Sequence, residues 1–317
     1  MIRVAALDCG TNSLRMLLAD VDTASGTLTD VDRRMEIVRL GQGVDRTGRI
    51  DPEAMRRTLR VTGDYARECA RAGAQRVRFV ATSATRDARN RAEFTDGVRA
   101  LLGVEPEVVS GQEEAALSFA GATRELAGAH PAPFLVVDIG GGSTELVLGD
   151  GAVDAARSVD VGCVRLTERH LHDDPPTRAQ VAAAGADIRA ALDLAGTDVR
   201  LGAARSLVGL AGSVTTASAH VLGLDRYDPR AIHGAALPVD DVLAACADLL
   251  GMTRAQRAAL PYMHPGRVDV IGAGVLVWSL VIERVAELTA QAGSPLREVV
   301  SSEHDILDGI AWGLAES

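Results

Sequence analysis

The feature that most constrains this chain is a motif that occurs twice. Leu7-Asp-Cys-Gly-Thr-Asn-Ser-Leu-Arg-Met-Leu-Leu-Ala-Asp20 is followed, 130 positions later, by Val137-Asp-Ile-Gly-Gly-Gly-Ser-Thr-Glu-Leu-Val-Leu-Gly-Asp150. Asp8 and Asp138, Gly10 and Gly140, Ser13 and Ser143, Leu18 and Leu148, and Asp20 and Asp150 coincide at that offset. Each copy has an apolar, strand-like run on either side of a Gly/Ser/Thr turn. The unit reads as a β-hairpin whose tip carries an aspartate and small residues. Two copies with the aspartate in the same place imply two related domains facing each other.

The remaining pattern is mixed α/β. Strands are expected over 27–40, 77–81, 153–161, 207–210 and 299–300. Helices are expected over 51–71, 92–102, 112–125, 214–223, 239–250, 254–259, 267–291 and 304–315. Asp51 with Pro52 marks a helix start. Thr177 with Gln180 forms a capping box before a long alanine-rich helix, and Ser110 with Glu113 another. The proline-rich segment 130–133 reads as a linker, dividing the chain into domains 1–129 and 130–317, with the last helix returning to the first domain. Helices interleaved with strands in both halves indicate sheets covered by helices.

Composition narrows the chemistry. The 317 residues hold 33 basic side chains, all arginine, against 43 acidic ones, for a net charge of -10. Without lysine there is no Schiff base and no Walker-type phosphate lysine. An anion must be held by arginine, backbone N–H groups or a metal. Four Phe, three Tyr and two Trp, with no basic run, argue against a nucleic-acid binder. Hydrophobic residues make up 47%, enough for two cores, so wholesale disorder is excluded. The unpaired spacing of Cys9, Cys69, Cys163 and Cys246 points to reduced thiols and a cytoplasmic protein. The longest apolar run, 270–282, is too short for a membrane span of ~20 residues and reads as a buried helix.

The two turns carry the first chemical signal. Residues 10–13 (Gly10, Thr11, Asn12, Ser13) and 140–143 (Gly140, Gly141, Gly142, Ser143) expose backbone N–H groups that can wrap an anion. Carboxylates beside a phosphate cradle require a cation between them, so Asp8, Asp138 and Glu145 read as a magnesium site, with manganese as the substitute. The spacing matches neither a Walker loop nor a dinucleotide fingerprint. In 82–90, Arg86 and Arg89 are expected near the first turn of a helix, where a shared anion would explain them. Glu113 is explained by its cap, whereas Glu114 points to another face and is a candidate general base. His170 and His172 read as surface or capping residues, Cys9 as unactivated, and Arg267 with Asp269 as a brace or a surface pair.

Taken together, 7–15, Arg39-Leu-Gly-Gln-Gly43, Thr82-Ser-Ala-Thr-Arg86, Ser110-Gly-Gln-Glu-Glu-Ala115 and 138–145 resemble the Ppx/GppA phosphatases. Gly162-Cys-Val-Arg-Leu-Thr167, Gly209-Leu-Ala-Gly-Ser213 and His304-Asp-Ile-Leu-Asp-Gly309 extend the likeness in family order over essentially the whole chain. The resemblance is to the short, two-domain actinobacterial-type exopolyphosphatases. It implies the actin/Hsp70/sugar-kinase fold, with two RNase-H-like domains and an active-site cleft between them. It also implies that Glu114 is the catalytic base, Glu145 beside Asp138 the metal-binding glutamate, and Arg86 the phosphate-binding arginine. Arg15 closes the first motif and joins the phosphate-binding set. Longer members carry a further helical domain after this core, so processivity on long polymers and a dimer through that domain are not expected. A homodimer of another kind is compatible with family analogy.

The resulting expectation is a magnesium-dependent hydrolase of the terminal phosphate of inorganic polyphosphate, with no nucleic-acid or membrane partner. Within the family, guanosine pentaphosphate (pppGpp) presents the same terminal phosphoanhydride. A small-molecule kinase on the same scaffold would need an acceptor site and an adenosine pocket. A non-catalytic polyphosphate or alarmone sensor would have no need of Glu114.

Overall fold

The computed structural model describes residues 1–316. In chain order its strands are β1 (Ile2–Cys9), β2 (Ser13–Asp22), β3 (Thr27–Ile37), β4 (Arg76–Ala81), β5 (Glu107–Val108), β6 (Phe134–Ile139), β7 (Thr144–Gly149), β8 (Val153–Val159), β9 (Ser206–Leu210), β10 (Ala236–Pro238) and β11 (Glu298–Ser302). The helices are α1 (Val44–Thr47), α2 (Pro52–Ala72), α3 (Ser83–Asp87), α4 (Arg91–Leu102), α5 (Gly111–Leu126), α6 (Cys163–His170) and α7 (Arg178–Asp198). They continue with α8 (Ala211–Val221), α9 (Pro229–Ile232), α10 (Val239–Gly251), α11 (Arg254–Ala258), α12 (Ile271–Gln291) and α13 (Ile306–Glu316). The chain forms two units, Met1–Gly121 together with the segment from Ile306 onward, and Ala122–Asp305.

In the first unit a five-stranded sheet has the order β3-β2-β1-β4-β5. The β1–β2 and β2–β3 pairs are antiparallel, and β1–β4 and β4–β5 are parallel. Alternation along β1 explains why the strand is apolar on both faces. Ala5, Leu7 and Cys9 join a core with Phe79, Phe94 and Val98. Val4 and Ala6 join another, built with Ile306, Ile310 and Trp312 of α13. Asp8 shares the parity of Val4 and Ala6. Arg33 of β3 anchors α13 by a 2.6 Å ion pair to the buried Asp308.

The second unit repeats the plan. Its six-stranded sheet runs β10-β11-β9-β6-β7-β8. Read from β6, it has the same antiparallel–antiparallel and parallel–parallel arms as the first sheet, plus the edge strand β10. The duplicated motif thus lies in two related sheets, and their shared order is the RNase-H-like plan that the family resemblance implies. The core lies on the face of Leu135, Val137 and Ile139, against Ile188, Val242 and the apolar α12. The 270–282 run is therefore a buried helix, and among the described residues no helix is long and apolar enough to cross a membrane. Trp278 is fully buried there, so close to β9 that a Cβ on Gly209 would lie 2.7 Å from its ring. Trp278→Ala should cost about 3–5 kcal/mol, readable as a lower urea midpoint; an unchanged midpoint would contradict this packing.

The caps at Asp51, Thr177 and Ser110 all form. Other boundaries differ for tertiary reasons. The long helix starts at Ile271 and not at 267, because Pro265 and the His264 side chain, which accepts the Gly266 N–H, close a separate 3-10 turn. Helices α3 and α6 and the short strands β5 and β10 lack a periodic signal of their own and form against neighbours.

Candidate active site

The first hairpin tip is closed by a bond from Gly10 N–H to the Ser13 carbonyl, 3.0 Å. The segment after β3 wraps it. Val38 and Arg39 donate to the Asn12 carbonyl, and Gly41 to that of Thr11. A Cβ on Gly41 would fall 2.3 Å from Thr11 Cγ2, so only glycine allows this approach. Thr11 Oγ1 also lies 2.8 Å from Ser83 Oγ at the start of α3, which couples the tip to the segment after β4.

Arg86 is the fourth residue of α3, which follows Thr82 and is only five residues long, so its first turn is nearly the whole helix. From there it donates to the Val109 carbonyl at 3.0 Å and to Glu114 Oε2 at 3.1 Å. Arg89 lies beyond the helix and donates to the Thr47 carbonyl. At the start of α5 the Glu113 carboxylate accepts the Ser110 N–H and hydroxyl, which holds it below its ordinary range. That cap uses Glu113 and leaves the next residue to point elsewhere, onto Arg86.

Among the buried acids of the described residues are Asp8, Glu114, Asp138 and Glu145, between 1% and 8% exposed, and burying a carboxylate calls for a charged partner, hydrogen bonds or an ion. The duplicated hairpins treat theirs differently. In the first, Asp8 sits opposite Arg15, and the guanidinium donates twice to Asp8 Oδ2, at 2.7 and 3.0 Å. At the same register position in the second, Asp138 sits opposite Glu145. Glu145 Oε1 accepts the Ser158 hydroxyl at 2.7 Å. Like charges directly opposite each other are destabilising. Two carboxylates offering only oxygen fit a hard divalent cation, which removes that repulsion. Both Arg15 bonds fall on Asp8 Oδ2, and the buried Oδ1 accepts no hydrogen bond, which leaves that oxygen available to such an ion.

The second tip is closed in the same way and wrapped by a helix. Gly140 N–H bonds the Ser143 carbonyl at 3.0 Å, as in the first tip. The start of α6 takes up the tip's carbonyls: Cys163 N–H donates to Gly140, and Val164 and Arg165 N–H to Gly141. Arg165 Nε donates to the Gly142 carbonyl at 2.7 Å. Gly162 permits this, since a Cβ there would lie 2.6 Å from the Gly141 carbonyl. Among the described residues the N–H groups of Gly141, Gly142 and Ser143 donate no hydrogen bond, although Gly142 and Ser143 are buried. Buried N–H groups are normally paired, so this row is suited to a bound anion.

Among the described residues two non-glycine residues adopt positive φ, Arg39 (50°) in the segment wrapping the first tip and Ala211 (69°) at the start of α8. Ala211 follows Leu210, the β9 partner of Asp138. Strain of this kind gathers at functional sites. Beside it the Arg267 guanidinium fills the space that a Cβ on Gly212 would need, at 2.5 Å, and lies over the Tyr227 ring. Asp269 pairs with Arg254 at 2.8 Å. The Gly209–Ser213 run was the available signal for this corner, but sequence reasoning gave it no role. Burial pushes the Cys9 thiol well above its ordinary range, with Asp8 adding to the effect, so it is a poor nucleophile. His170 is held by Asp187 at 2.7 Å.

The model of the Ppx/GppA phosphatase family matches residues 19–300. The chain belongs to that family. This makes it a phosphoanhydride hydrolase. It is 54% identical over 322 aligned residues to exopolyphosphatase 2 of Mycobacterium tuberculosis, covering 99% of each chain. Among solved structures it resembles an exopolyphosphatase-like protein (44% identity, 98% of each chain, TM-score 0.94). It also resembles the Aquifex aeolicus Ppx/GppA family member (27% identity, 100% of this chain and 99% of that one, TM-score 0.79).

Proposed function

We propose that this Ppx/GppA member is an exopolyphosphatase that releases the terminal phosphate of inorganic polyphosphate by attack of water. The observation that carries the reading is the second hairpin: a row of undonated N–H groups beside two buried carboxylates at one register position. That arrangement suits a metal-bound phosphate.

In this reading Glu114 orients the attacking water and accepts its proton. Arg86 fixes the Glu114 carboxylate and faces the charge that develops on the transferred phosphoryl group. The 140–143 N–H groups hold phosphate oxygens, and residues 10–13 with Arg15 supply further contacts. Asp138 and Glu145 would hold magnesium, or manganese, with Asp8 contributing through its Oδ1, directly or by way of water. Bound there, the cation would polarise phosphate oxygens and offset their charge. Such a reaction needs positioning and electrostatics more than covalent chemistry. Buried, reduced thiols fit the cytoplasm as its place of action.

The test is phosphate release with magnesium from polyphosphates of defined length and, in parallel, from pppGpp. Turnover of polyphosphate with little from pppGpp is the expected result. The reverse ratio would reassign the substrate, and binding without turnover would make the chain a sensor. Gly162→Ala should lower kcat/KM by roughly 10²-fold by pushing the cradle out of place, with the fold retained. A variant of unchanged kcat/KM would remove the cradle from the site.

A further inference from the structure

We propose that Glu125, His233 and His304, all in the second unit, form a zinc site separate from the residues given catalytic roles above. Glu125 Oε2 lies 3.4 Å from His233 Nε2 and 3.5 Å from His304 Nδ1. The three ligand atoms all fall within 4.8 Å of one another. The two imidazoles stack with centroids 4.3 Å apart, at 26°. Both carboxylate contacts are wide for an N–H···O hydrogen bond, which prefers about 2.7–3.2 Å. They match the ~3.4 Å edge of a tetrahedron drawn around an ion with ~2.1 Å bonds. Two imidazole nitrogens and one carboxylate oxygen, with a water in the fourth position, make a common zinc set. A magnesium ion prefers oxygen, so the donor sets separate this site from the Asp138–Glu145 pair.

The backbones behind the ligands are fixed. Ser302 Oγ accepts the His304 N–H and donates to the His304 carbonyl, at 3.1 and 2.7 Å. His233 caps the end of α9 by donating its N–H to the carbonyl of Pro229, the helix's first residue, and Gly234, at a φ of 73°, turns the chain back to bond Ser301. Glu125 stands in the last turn of α5. The three ligands thus come from segments far apart in sequence, and an ion would staple them together. Loading has a definite cost. His233 Nδ1 accepts a long bond, 3.3 Å, from Glu303 N–H, so the unloaded neutral ring carries its proton on Nε2. Binding zinc at Nε2 moves that proton to Nδ1, gives up this weak bond and opens the ring stack. The affinity should therefore be moderate.

Chelator-treated, dialysed full-length protein titrated with zinc chloride by calorimetry tests this. The expected result is one zinc per chain, a zinc-dependent rise in melting temperature, and d–d absorption bands with cobalt in place of zinc. His233→Gln, His304→Gln and Glu125→Gln should each weaken binding by at least about 10–100-fold and remove the melting shift. Melting without zinc checks that each variant is folded. Glu145→Gln should leave zinc binding unchanged, so failure of the polyphosphate reading would not affect this result. Absence of saturable binding below about 100 µM zinc, or equal affinity in the three variants, would overturn the site.

Discussion

Glu114→Gln should lower kcat for phosphate release from polyphosphate by about 10²–10⁴-fold, the usual contribution of a positioned general base. Substrate affinity should change little. Glutamine keeps the size of the side chain, and its carbonyl oxygen can still accept the Arg86 guanidinium, 3.1 Å from the glutamate in the native chain. What it loses is the ability to take a proton. The neighbouring Glu113 cannot substitute, because its carboxylate caps α5 through Ser110. A single-turnover assay with magnesium separates chemistry from release, and direct binding of polyphosphate checks affinity. A kcat within twofold of the native value would remove Glu114 from the reaction.

Glu145→Gln should raise the magnesium concentration for half-maximal activity by at least about 10–100-fold and lower kcat at saturation, because a ligand should matter no less than its supporting partners. The fold should tolerate the change: a buried pair of like charges becomes an acid beside a neutral amide. The variant should be at least as stable as the native chain without metal, and less active with it. Ser158→Ala should show a smaller effect of the same kind, since its hydroxyl only orients Glu145. Unchanged magnesium dependence in Glu145→Gln would dissociate the pair from metal binding.

Much of this was legible before any coordinates, and the reasons are local. The hairpins announce themselves because a period-two apolar pattern brackets a turn of small residues. The caps at Asp51, Ser110 and Thr177 are legible because their partners lie two or three residues away. Glu114 was separable from Glu113 by the same short-range reasoning. Arg86 was harder to place: α3 is a single short turn whose position depends on Thr11 and Val109, distant in sequence. Helix α6 was hidden for a similar reason, since its first N–H groups bond the carbonyls of a remote turn. The Asp8–Arg15 pair was within reach. Once residues 10–13 are read as the hairpin turn, counting back along both strands sets Asp8 opposite Arg15 and Asp138 opposite Glu145. The His233–His304 pair had no sequence signal, because the two lie on segments joined only by the fold.

That register position has a consequence for how a duplicated fold becomes an enzyme. With both acids ionised, the Asp8–Arg15 pair sums to zero formal charge and the Asp138–Glu145 pair to roughly minus two. One divalent cation brings the second pair to neutrality. If Asp138 and Glu145 hold an ion as proposed above, the two copies would reach the same formal charge by different routes, one with a side chain supplied by the chain itself, the other with an ion taken from solution. On that reading, a single change of sign at one position separates a copy that supplies its own counter-charge from one that would take it as a removable ion, and such an ion would give chemistry a place to enter.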